Sequence, residues 1–366
     1  MRRIQTNTIF LLTLIFSTPG ATFSQDKEER LRLISADLLK RETIGQKVQQ
    51  VLEGNVKLKQ GKTTIECDLA SQIINEDPFA LIGNVHIYDE EQNLFADTVY
   101  VYSMEFKQVA IGNVRSFTET DTTTANRMTY FQKQKRLVSE GDVRKIDSKE
   151  RTILTAGFAS YQREEKYGEV FDDPVLIQHD SLGSEIMRIL ADTMEIFESG
   201  QRIIAKGNVV IIQPGIKATC GQAEYIKSEK EITLNDSPKV LQRNQQISGD
   251  TLKLYLNDSK LTRAVVTGNA LATSDADTLD RGKWLNKLTG QTMEFFFGDA
   301  NELKKVIIEN QATSLYHIIE EKEYKGTNEV SGDRITIELS EGQAQTVQVS
   351  SNPDLSTGKY SPPNQI

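Results

Sequence analysis

The chain has 366 residues, of which 26% are charged and 38% hydrophobic, and its formal net charge is −9 at pH 7. Its basic residues are interleaved with acidic ones and form no block, which argues against nucleic acid as a partner and against electrostatic docking on an anionic membrane. The charge becomes −11 if the first 24 residues are removed, because they contain two arginines and no other charged residue.

Residues 1–24 have the features of a signal peptide. Arg2 and Arg3 precede the apolar run from Ile9 to Phe16, which is too short to span a bilayer, and small residues surround a cleavage point near Ser24. We therefore predict an exported protein whose signal is cut near Ser24. A signal anchor is the alternative.

The rest of the sequence repeats one pattern, which is clearest in residues 81–102. A Gly-Asn-Val corner at Gly83 opens a short β-branched run, and Asp97 opens an alternating run that ends in tyrosine. From Gly54 to Gly141 the corners follow one another at equal steps of 29 residues. Such self-similarity predicts stacked supersecondary units. The other corners are at Gly112, Gly207, Gly268 and, degraded, Asn310, and the Asp position recurs at Asp37, Asp68, Asn126, Asp192, Asp250, Gln291 and Asp333.

Within each repeat the hydrophobic residues alternate with a period of two, which is typical of strands with one buried face. By this period Asp97, Val99 and Val101 share the apolar face, and Tyr100 lies on the other. Clusters of turn-forming residues separate the runs. The sequence therefore predicts an all-β fold, antiparallel or coiled throughout.

One segment near the N-terminus is ambiguous. Between Leu31 and Lys40, the spacing of Leu31, Ile34 and Leu38 would also suit one face of an amphipathic helix. Residues 35–38 match the Asp motif of the other repeats, which favours a first strand.

The repeats are predicted to occupy residues 25–350, which we divide into two consecutive modules, 31–180 and 181–350. A five-residue pattern at Asn286 returns after 42 residues, so two longer repeats close the array. Residues 351–366 carry no period, and we expect a flexible C-terminal tail there.

The two cysteines, Cys67 and Cys220, occupy equivalent slots, each one residue before the Asp position. The slots are five repeat steps apart. If each step advances by at least one strand spacing of ~4.8 Å, the cysteines lie more than ~20 Å apart, beyond the ~7 Å limit for a disulfide. We predict two free, buried thiols.

The sequence contains no motif that indicates catalysis or metal binding. His86, His179 and His317 lie on separate predicted strands without a second ligand at a metal-binding spacing. The recurring Asp is expected to accept hydrogen bonds from nearby turn N–H groups rather than to bind calcium, whose nonapeptide repeat is far shorter. We predict a protein that is not an enzyme and that uses no cofactor and no metal.

The alternation of G-N-V corners with A-D-x-h-x-Y strands (h is hydrophobic), behind an export signal, resembles the OstA/LptA family of periplasmic lipopolysaccharide-transport proteins. It resembles especially the long OstA-like proteins of Bacteroidetes-type bacteria, and the resemblance covers about Leu31 to Pro353. It implies a periplasmic, repeat-built β-jelly-roll or β-taco. In such a fold antiparallel strands form two facing sheets, open at both ends, with an apolar groove between them for lipid acyl chains.

On this resemblance the protein is expected to carry lipopolysaccharide or a related glycolipid from the inner to the outer membrane. The expected partners are the inner-membrane export complex, the outer-membrane assembly protein and a second copy joined head to tail, all reached through edge strands. The residues expected to line the groove are Val56, Val85, Ile87, Val99, Val101, Val114, Met128, Met194, Ile196, Val209, Ile211, Leu252 and Leu254.

Two other functions remain as alternatives. A non-catalytic structural or adhesive β-solenoid of the cell envelope would have a dry interior. An enzyme, such as a parallel β-helix acting on polysaccharide, would need a unique acidic or histidine cluster, and the repeats show none.

The first strand, predicted within Ile34–Leu39, should end the sheet. An edge strand leaves N–H and C=O groups unpaired, and these favour pairing with a strand of another protein. We expect this edge to be the docking surface. The repeats beyond Asn310 are the alternative.

Overall fold

The structure is a computed structural model that describes residues 31–257, 260–276, 283–298, 302–320, 323–340, 343–352 and 355–363. The predicted signal peptide lies outside the described residues. Over the described residues the fold is all-β with antiparallel pairing, as predicted, and it includes one 3-10 turn at Glu198–Gly200. No helix in the described part of the chain has the length and apolar character needed to cross a membrane.

The chain forms two compact units. Unit 1 comprises the residues up to Ser181 together with Glu195–Ser199, and unit 2 comprises Leu182–Met194 and the residues from Gly200 onward. The strands of unit 1 are β1 (Arg32–Ser35), β2 (Leu38–Ile44), β3 (Lys47–Gln60), β4 (Thr63–Ile73), β5 (Phe79–Tyr88), β6 (Asn93–Tyr102), β7 (Lys107–Phe117), β8 (Asp121–Phe131), β9 (Arg136–Asp147), β10 (Thr152–Gln162), β11 (Tyr167–Phe171) and β12 (Val175–His179).

The strand β14 (Thr193–Phe197) contributes residues to both units. The other strands of unit 2 are β13 (Glu185–Leu190), β15 (Arg202–Gln213), β16 (Ile216–Ile226), β17 (Glu231–Asn235), β18 (Lys239–Gln242), β19 (Gln245–Ser248), β20 (Thr251–Asn257), β21 (Lys260–Asp275), β22 (Leu285–Phe297), β23 (Leu303–Glu320), β24 (Glu323–Ser340), β25 (Gln343–Ser350) and β26 (Thr357–Ser361). Within the segment predicted as a tail, β26 pairs with β24.

Corners divide the long strands into two arms. In β5 the corner is Gly83-Asn84, where both residues have a positive φ (77° and 46°) and the ladder to β6 shifts register between Ile82 and Val85. Glycine and asparagine tolerate this left-handed conformation better than other residues, which explains the repeated Gly-Asn. The predicted corners are confirmed, including the degraded one at Asn310.

In each unit the arms on one side of the corners pair with one another and form sheet A, and the arms on the other side form sheet B. Sheet A of unit 1 contains residues 38–44, 47–53, 69–73, 79–82, 98–102, 107–111, 127–131, 136–140, 158–162 and 167–171. Sheet B of unit 1 contains residues 32–35, 56–60, 63–67, 85–88, 93–96, 114–117, 121–125, 143–147, 152–156 and 175–179.

Unit 2 is divided in the same way. Its sheet A contains residues 202–206, 222–226, 231–235, 251–257, 260–267, 292–297, 303–309, 334–340 and 343–350. Its sheet B contains residues 185–190, 209–213, 216–220, 239–242, 245–248, 270–275, 285–290, 312–320, 323–332 and 357–361.

Side chains of the two sheets meet in a common core. In unit 1 this core contains Leu81 and Val99 from sheet A together with Val85 and Leu94 from sheet B, and each is at most 2% exposed. Burial of apolar side chains between two sheets stabilises the unit, because it removes the inner face of each sheet from water. This is the β-jelly-roll or β-taco arrangement of two facing sheets that the resemblance to the OstA/LptA family implies.

The recurring Asp holds the corner of the neighbouring strand. Asp68 Oδ2 accepts a hydrogen bond from the Asn84 side-chain amide at 2.8 Å, and Asp97 accepts one from Asn113 at 3.0 Å. At these positions the donors are side-chain amides and not the predicted turn N–H groups, whereas Asp333 Oδ2 does accept a hydrogen bond from a backbone N–H, that of Asn352, at 3.3 Å. Because the Asp lies opposite the two-residue bulge of the ladder, its side chain reaches the corner and not a turn at the strand end. The same pairs are Asp37–Asn55, Asp192–Asn208 and Asp250–Asn269.

One repeat contains this pair with the two residues exchanged. Asn126 occupies the Asp position, and the corner opposite it is Gly141-Asp142. The Asn126 side-chain amide donates a hydrogen bond to Asp142 Oδ2 at 3.2 Å. The two exchanges compensate each other, since one carboxylate still faces one amide.

The exchanged pair leads to a prediction about the free energy of unfolding. Asn126→Asp should lower the free energy of unfolding by about 0.5 to 1 kcal/mol, because two carboxylates would then face each other across the strands. Adding Asp142→Asn should restore the stability, as measured by urea unfolding. If the double variant is no more stable than the single one, the pair is not coupled.

Besides the degraded corner at Asn310, two further corners lack glycine, and sequence reasoning missed both. Asp172-Asp173 and Asp236-Ser237 have a positive φ at both residues. Opposite them lie Gly157 and Gly221, whose N–H groups donate to the Asp172 and Asp236 carbonyls at 2.9 Å. In these two repeats the aspartate lies in the corner and the glycine lies at the Asp position, the reverse of the Gly-Asn corners. A step of 29 residues from Gly207 lands on Asp236, so the spacing contained a signal for this corner.

The ambiguous N-terminal segment forms strands, as the Asp motif favours. Asp37 separates β1 from β2, and both strands pair with β3. Within the described residues, β2 pairs with β3 on one edge, and its other edge has no partner strand. The large apolar side chains exposed on these two strands are Leu33, Ile34, Leu38, Leu39 and Ile44.

Cys67 and Cys220 are free and buried, as predicted. Each pairs across the ladder with the valine that follows a corner, Val56 and Val209 respectively. Burial raises the pKa of both thiols to about 11, so they are protonated at neutral pH.

Candidate functional site

Twelve of the thirteen residues predicted to line the groove are at most 5% exposed, and Ile196 is half-buried. Except in β15, where Val210 and Ile212 lie beside them, they alternate with outward-facing polar or aromatic residues along each strand, which is the pattern of a sheet with one dry face. The members that share the core of unit 1 are Val56, Val85, Ile87, Val99, Val101, Val114 and Met128.

The period of two does not continue through the Asp position. In β6, Leu94 and Ala96 are buried before Asp97, and Val99 and Val101 are buried after it, whereas Asp97 itself is exposed. Placing Asp97 on the apolar face was therefore wrong. The reason is that Asp97 lies opposite the bulged corners of both neighbouring strands, where the ladder shifts register.

A narrow apolar cleft lies between the two sheets of unit 2. Sheet A contributes Leu252, Leu254 and Phe295, and sheet B contributes Ile216 and Ile247. The volume of the cleft is about 10 Å³, roughly the room that one water molecule needs. A larger apolar molecule can therefore enter only if the sheets separate. The other lining residues are Val240, Gln242, Gln245, Leu261, Ala264, Phe297 and Leu303.

Sequence reasoning identified Leu252 and Leu254 in this cleft but missed the others. For Phe295 a signal was present, because it lies four residues after the Asp-equivalent Gln291, at the spacing of Leu254 from Asp250. Ile247 belongs to the short strand β19, which carries neither a corner nor an Asp slot. Only its pairing with β18 and β21 brings it to the cleft.

The three histidines lie on separate strands, as predicted. His86 packs between the rings of Tyr88 and Phe95, and its Nε2 is 3.0 Å from Asn93 Oδ1. Burial lowers the pKa of His317, which packs against Trp284. Among the described residues, no group of three or more His, Cys, Asp or Glu side chains is placed to hold a metal ion.

The comparison with protein families gives one match. Residues 160–279 match the family described as "LptA/(LptD N-terminal domain) LPS transport protein". This segment includes Ile216, Ile247, Leu252 and Leu254 of the cleft. No curated protein matches the chain.

Among solved structures the chain is similar to LptH, described as the LptA homologous periplasmic component of the conserved lipopolysaccharide transport device from Pseudomonas aeruginosa. The identity is 19%, the alignment covers 40% of this chain and 95% of LptH, and the TM-score is 0.30. The resemblance to the OstA/LptA family that the repeats predict is confirmed by the family match, and residues 160–279 are the part of the chain that carries it.

Proposed function

We propose that the protein is a periplasmic carrier that holds the acyl chains of lipopolysaccharide, or of a related glycolipid, between its two sheets. The observation that carries this proposal is the cleft of unit 2, which has apolar walls from both sheets and lies mostly within the segment that matches the transport family. In this role the carrier bridges the inner and outer membranes.

Burial of an acyl chain would supply the binding energy. A chain of about twelve carbons gains on the order of 10 kcal/mol when it leaves water, at about 0.8 kcal/mol for each methylene. Part of this gain is offset, because Leu252, Leu254 and their neighbours exchange contacts across the cleft for contacts with lipid, and because the chain becomes ordered.

The cleft is closed by contact between its own apolar walls. With a volume of about 10 Å³, it keeps both apolar faces out of water until lipid separates them. Release then requires an equally apolar acceptor, since a chain that returned to water would lose its binding energy. Transfer should therefore occur between grooves that are joined end to end.

The rival function, a structural or adhesive solenoid, uses the same fold with a permanently dry interior. The two functions differ in one respect that can be measured directly. A carrier isolated from its native envelope retains lipid that organic extraction releases and mass spectrometry identifies, whereas a solenoid retains none.

A photo-crosslinking residue placed at an inward position should capture this lipid. Val101 and Leu254 are each 4% exposed and face the interior, whereas Tyr100 and Tyr255 are half-buried and face outward. We expect lipid adducts at Val101 and Leu254 and none at the adjacent tyrosines, as read by mass spectrometry after irradiation in cells.

The tyrosine positions are matched controls, because each lies one residue from an inward position on the same strand. Equal labelling at both positions of a pair would show that the lipid does not enter between the sheets. Adducts at Leu254 without adducts at Val101 would restrict the groove to unit 2.

A further inference from the structure

A trench crosses the outer face of sheet A in unit 1, on the side away from the core. In β8, Met128 and Tyr130 belong to the core, so Arg127, Thr129 and Phe131 face outward. The trench formed by these residues and their neighbours on β7, β9, β10 and β11 encloses about 520 Å³. It is distinct from the space between the sheets.

The floor of the trench is a cross-strand row of short side chains. Val109 of β7 pairs with Thr129, Thr129 pairs with Val138 of β9, and Val138 pairs with Ser160 of β10. The first three are at most 9% exposed although they face outward, because longer side chains in the adjacent rows shield them. The row ends at Glu169 of β11.

Long side chains two residues away on each strand form the walls. Successive strands lie ~4.8 Å apart, so the trench runs for roughly 19 Å from β7 to β11, the length of a short oligosaccharide. One wall consists of Lys107, Phe131 and Arg136, and the other consists of Arg127, Glu140 and Phe158.

The trench carries an unpaired cation. Arg127 Nε lies 3.6 Å from Glu140 Oε2, and Lys107 also has a carboxylate partner. Arg136 has none among the described residues. Its guanidinium lies over the Phe131 ring, 4.7 Å from the centroid, and its buried Nε has no hydrogen-bond partner. A guanidinium held in this way is preorganised for a carboxylate or a phosphate.

The remaining groups suit the rings and hydroxyls of a sugar. Phe158 and Phe171, with ring centroids 5.8 Å apart, offer an apolar surface to the C–H face of a sugar ring. Ser160 and Glu169 offer hydrogen-bond partners for its hydroxyls. A bare acyl chain would displace water from the Arg136 guanidinium without offering it a hydrogen-bond partner, which is unfavourable for a charged group. A peptide strand would find the backbone groups of β7 to β11 already paired.

We propose that this trench binds an anionic saccharide, one that carries carboxylate or phosphate groups, with Arg136 as the contact for the anion. The site lies on the opposite side of sheet A from the core and does not depend on lipid carriage between the sheets.

Isothermal titration of the full chain with four probes tests the proposal. We expect trigalacturonate or mannose 6-phosphate to bind, and we expect uncharged maltotriose and ring-free citrate to bind at least about tenfold more weakly. Equal binding of citrate would mean a general anion site. No binding of either charged sugar would overturn the proposal directly.

Two substitutions in the trench and one control outside it test whether the saccharide binds there. Arg136→Gln should weaken binding of the charged sugar at least about tenfold. Arg115→Gln is the matched control, because Arg115 lies over the Phe117 ring at 5.2 Å on sheet B, outside the trench. Phe158→Ala should weaken binding without a change of charge, and thermal melting checks that each variant is folded. Equal weakening by Arg136→Gln and Arg115→Gln, or no weakening by Arg136→Gln and Phe158→Ala, would contradict the placement.

Discussion

Replacement of Leu38 by proline should strongly weaken capture of a partner while the fold survives. Leu38 lies in β2, whose only partner strand among the described residues is β3. The Asp37 N–H donates to the Gly54 carbonyl at 2.9 Å, and N–H directions alternate along a strand, so the Leu38 N–H points to the free edge. Proline there removes a donor that a docking strand would use, and it leaves the ladder to β3 intact.

The expected loss of affinity is at least about tenfold, or about 1.4 kcal/mol. It is measured by pull-down of partners from envelope extracts and by transfer of lipid to an acceptor, with circular dichroism to show that the protein is folded. If Leu38→Pro binds and transfers normally, the N-terminal edge is not the docking surface. The repeats beyond Asn310 then become the candidate.

Leu38→Ala is the matched control, because it keeps the backbone N–H and removes a side chain that is 44% exposed. Strand addition predicts that Leu38→Ala keeps most of the binding. A loss as large as that of the proline variant would instead attribute docking to the apolar side chains of the edge, which also include Leu33, Ile34, Leu39 and Ile44.

Replacement of Gly83 by alanine should cause a large loss of stability. The φ of Gly83 is +77°, and a Cβ at this position would lie 2.4 Å from Asp68 Oδ2 and 3.0 Å from Asp68 Cβ. The backbone conformation alone costs about 1 to 2 kcal/mol for a residue with a side chain. Displacement of Asp68 from the corner adds to this, and we expect a total loss of about 3 kcal/mol in urea unfolding.

Gly45→Ala separates the two causes. Gly45 also has a positive φ, +65°, but a Cβ at this position would meet no atom within 4 Å beyond its chain neighbours. Its replacement should therefore cost only the backbone part, about 1 to 2 kcal/mol. Equal losses for Gly45→Ala and Gly83→Ala would mean that contact with Asp68 does not restrict the corner.

The exchanged corners of the chain suggest how the Gly83 position can be rescued. In two repeats, glycine (Gly157 or Gly221) lies at the Asp position and aspartate lies in the corner. The fold therefore accepts the two residue types in either arrangement. Gly83→Asp alone should destabilise at least as much as Gly83→Ala. Adding Asp68→Gly should recover about half of that loss, and no recovery would show that the two positions are not interchangeable.

The sequence by itself determined the class of the fold, the corners and most of the inward positions. The reason is that these features are local. A left-handed corner requires residues such as Gly83 and Asn84, and a strand with one dry face requires a period of two, as at Val99 and Val101. The equal spacing of the corners then indicates the stacking, and the alternation of corners with Asp strands is the basis of the resemblance to the transport family.

The tertiary structure decided which residues of distant strands face one another. It brought Ile216 and Ile247 of sheet B against Leu254 of sheet A, and it placed Arg136 beside Phe131 in the trench. It also determined that Asp97 bonds to Asn113 instead of to a turn. These contacts depend on strand register, and a slip of one residue would exchange the two faces of a strand. Register is set by pairing along the whole ladder, which no single repeat of the sequence specifies.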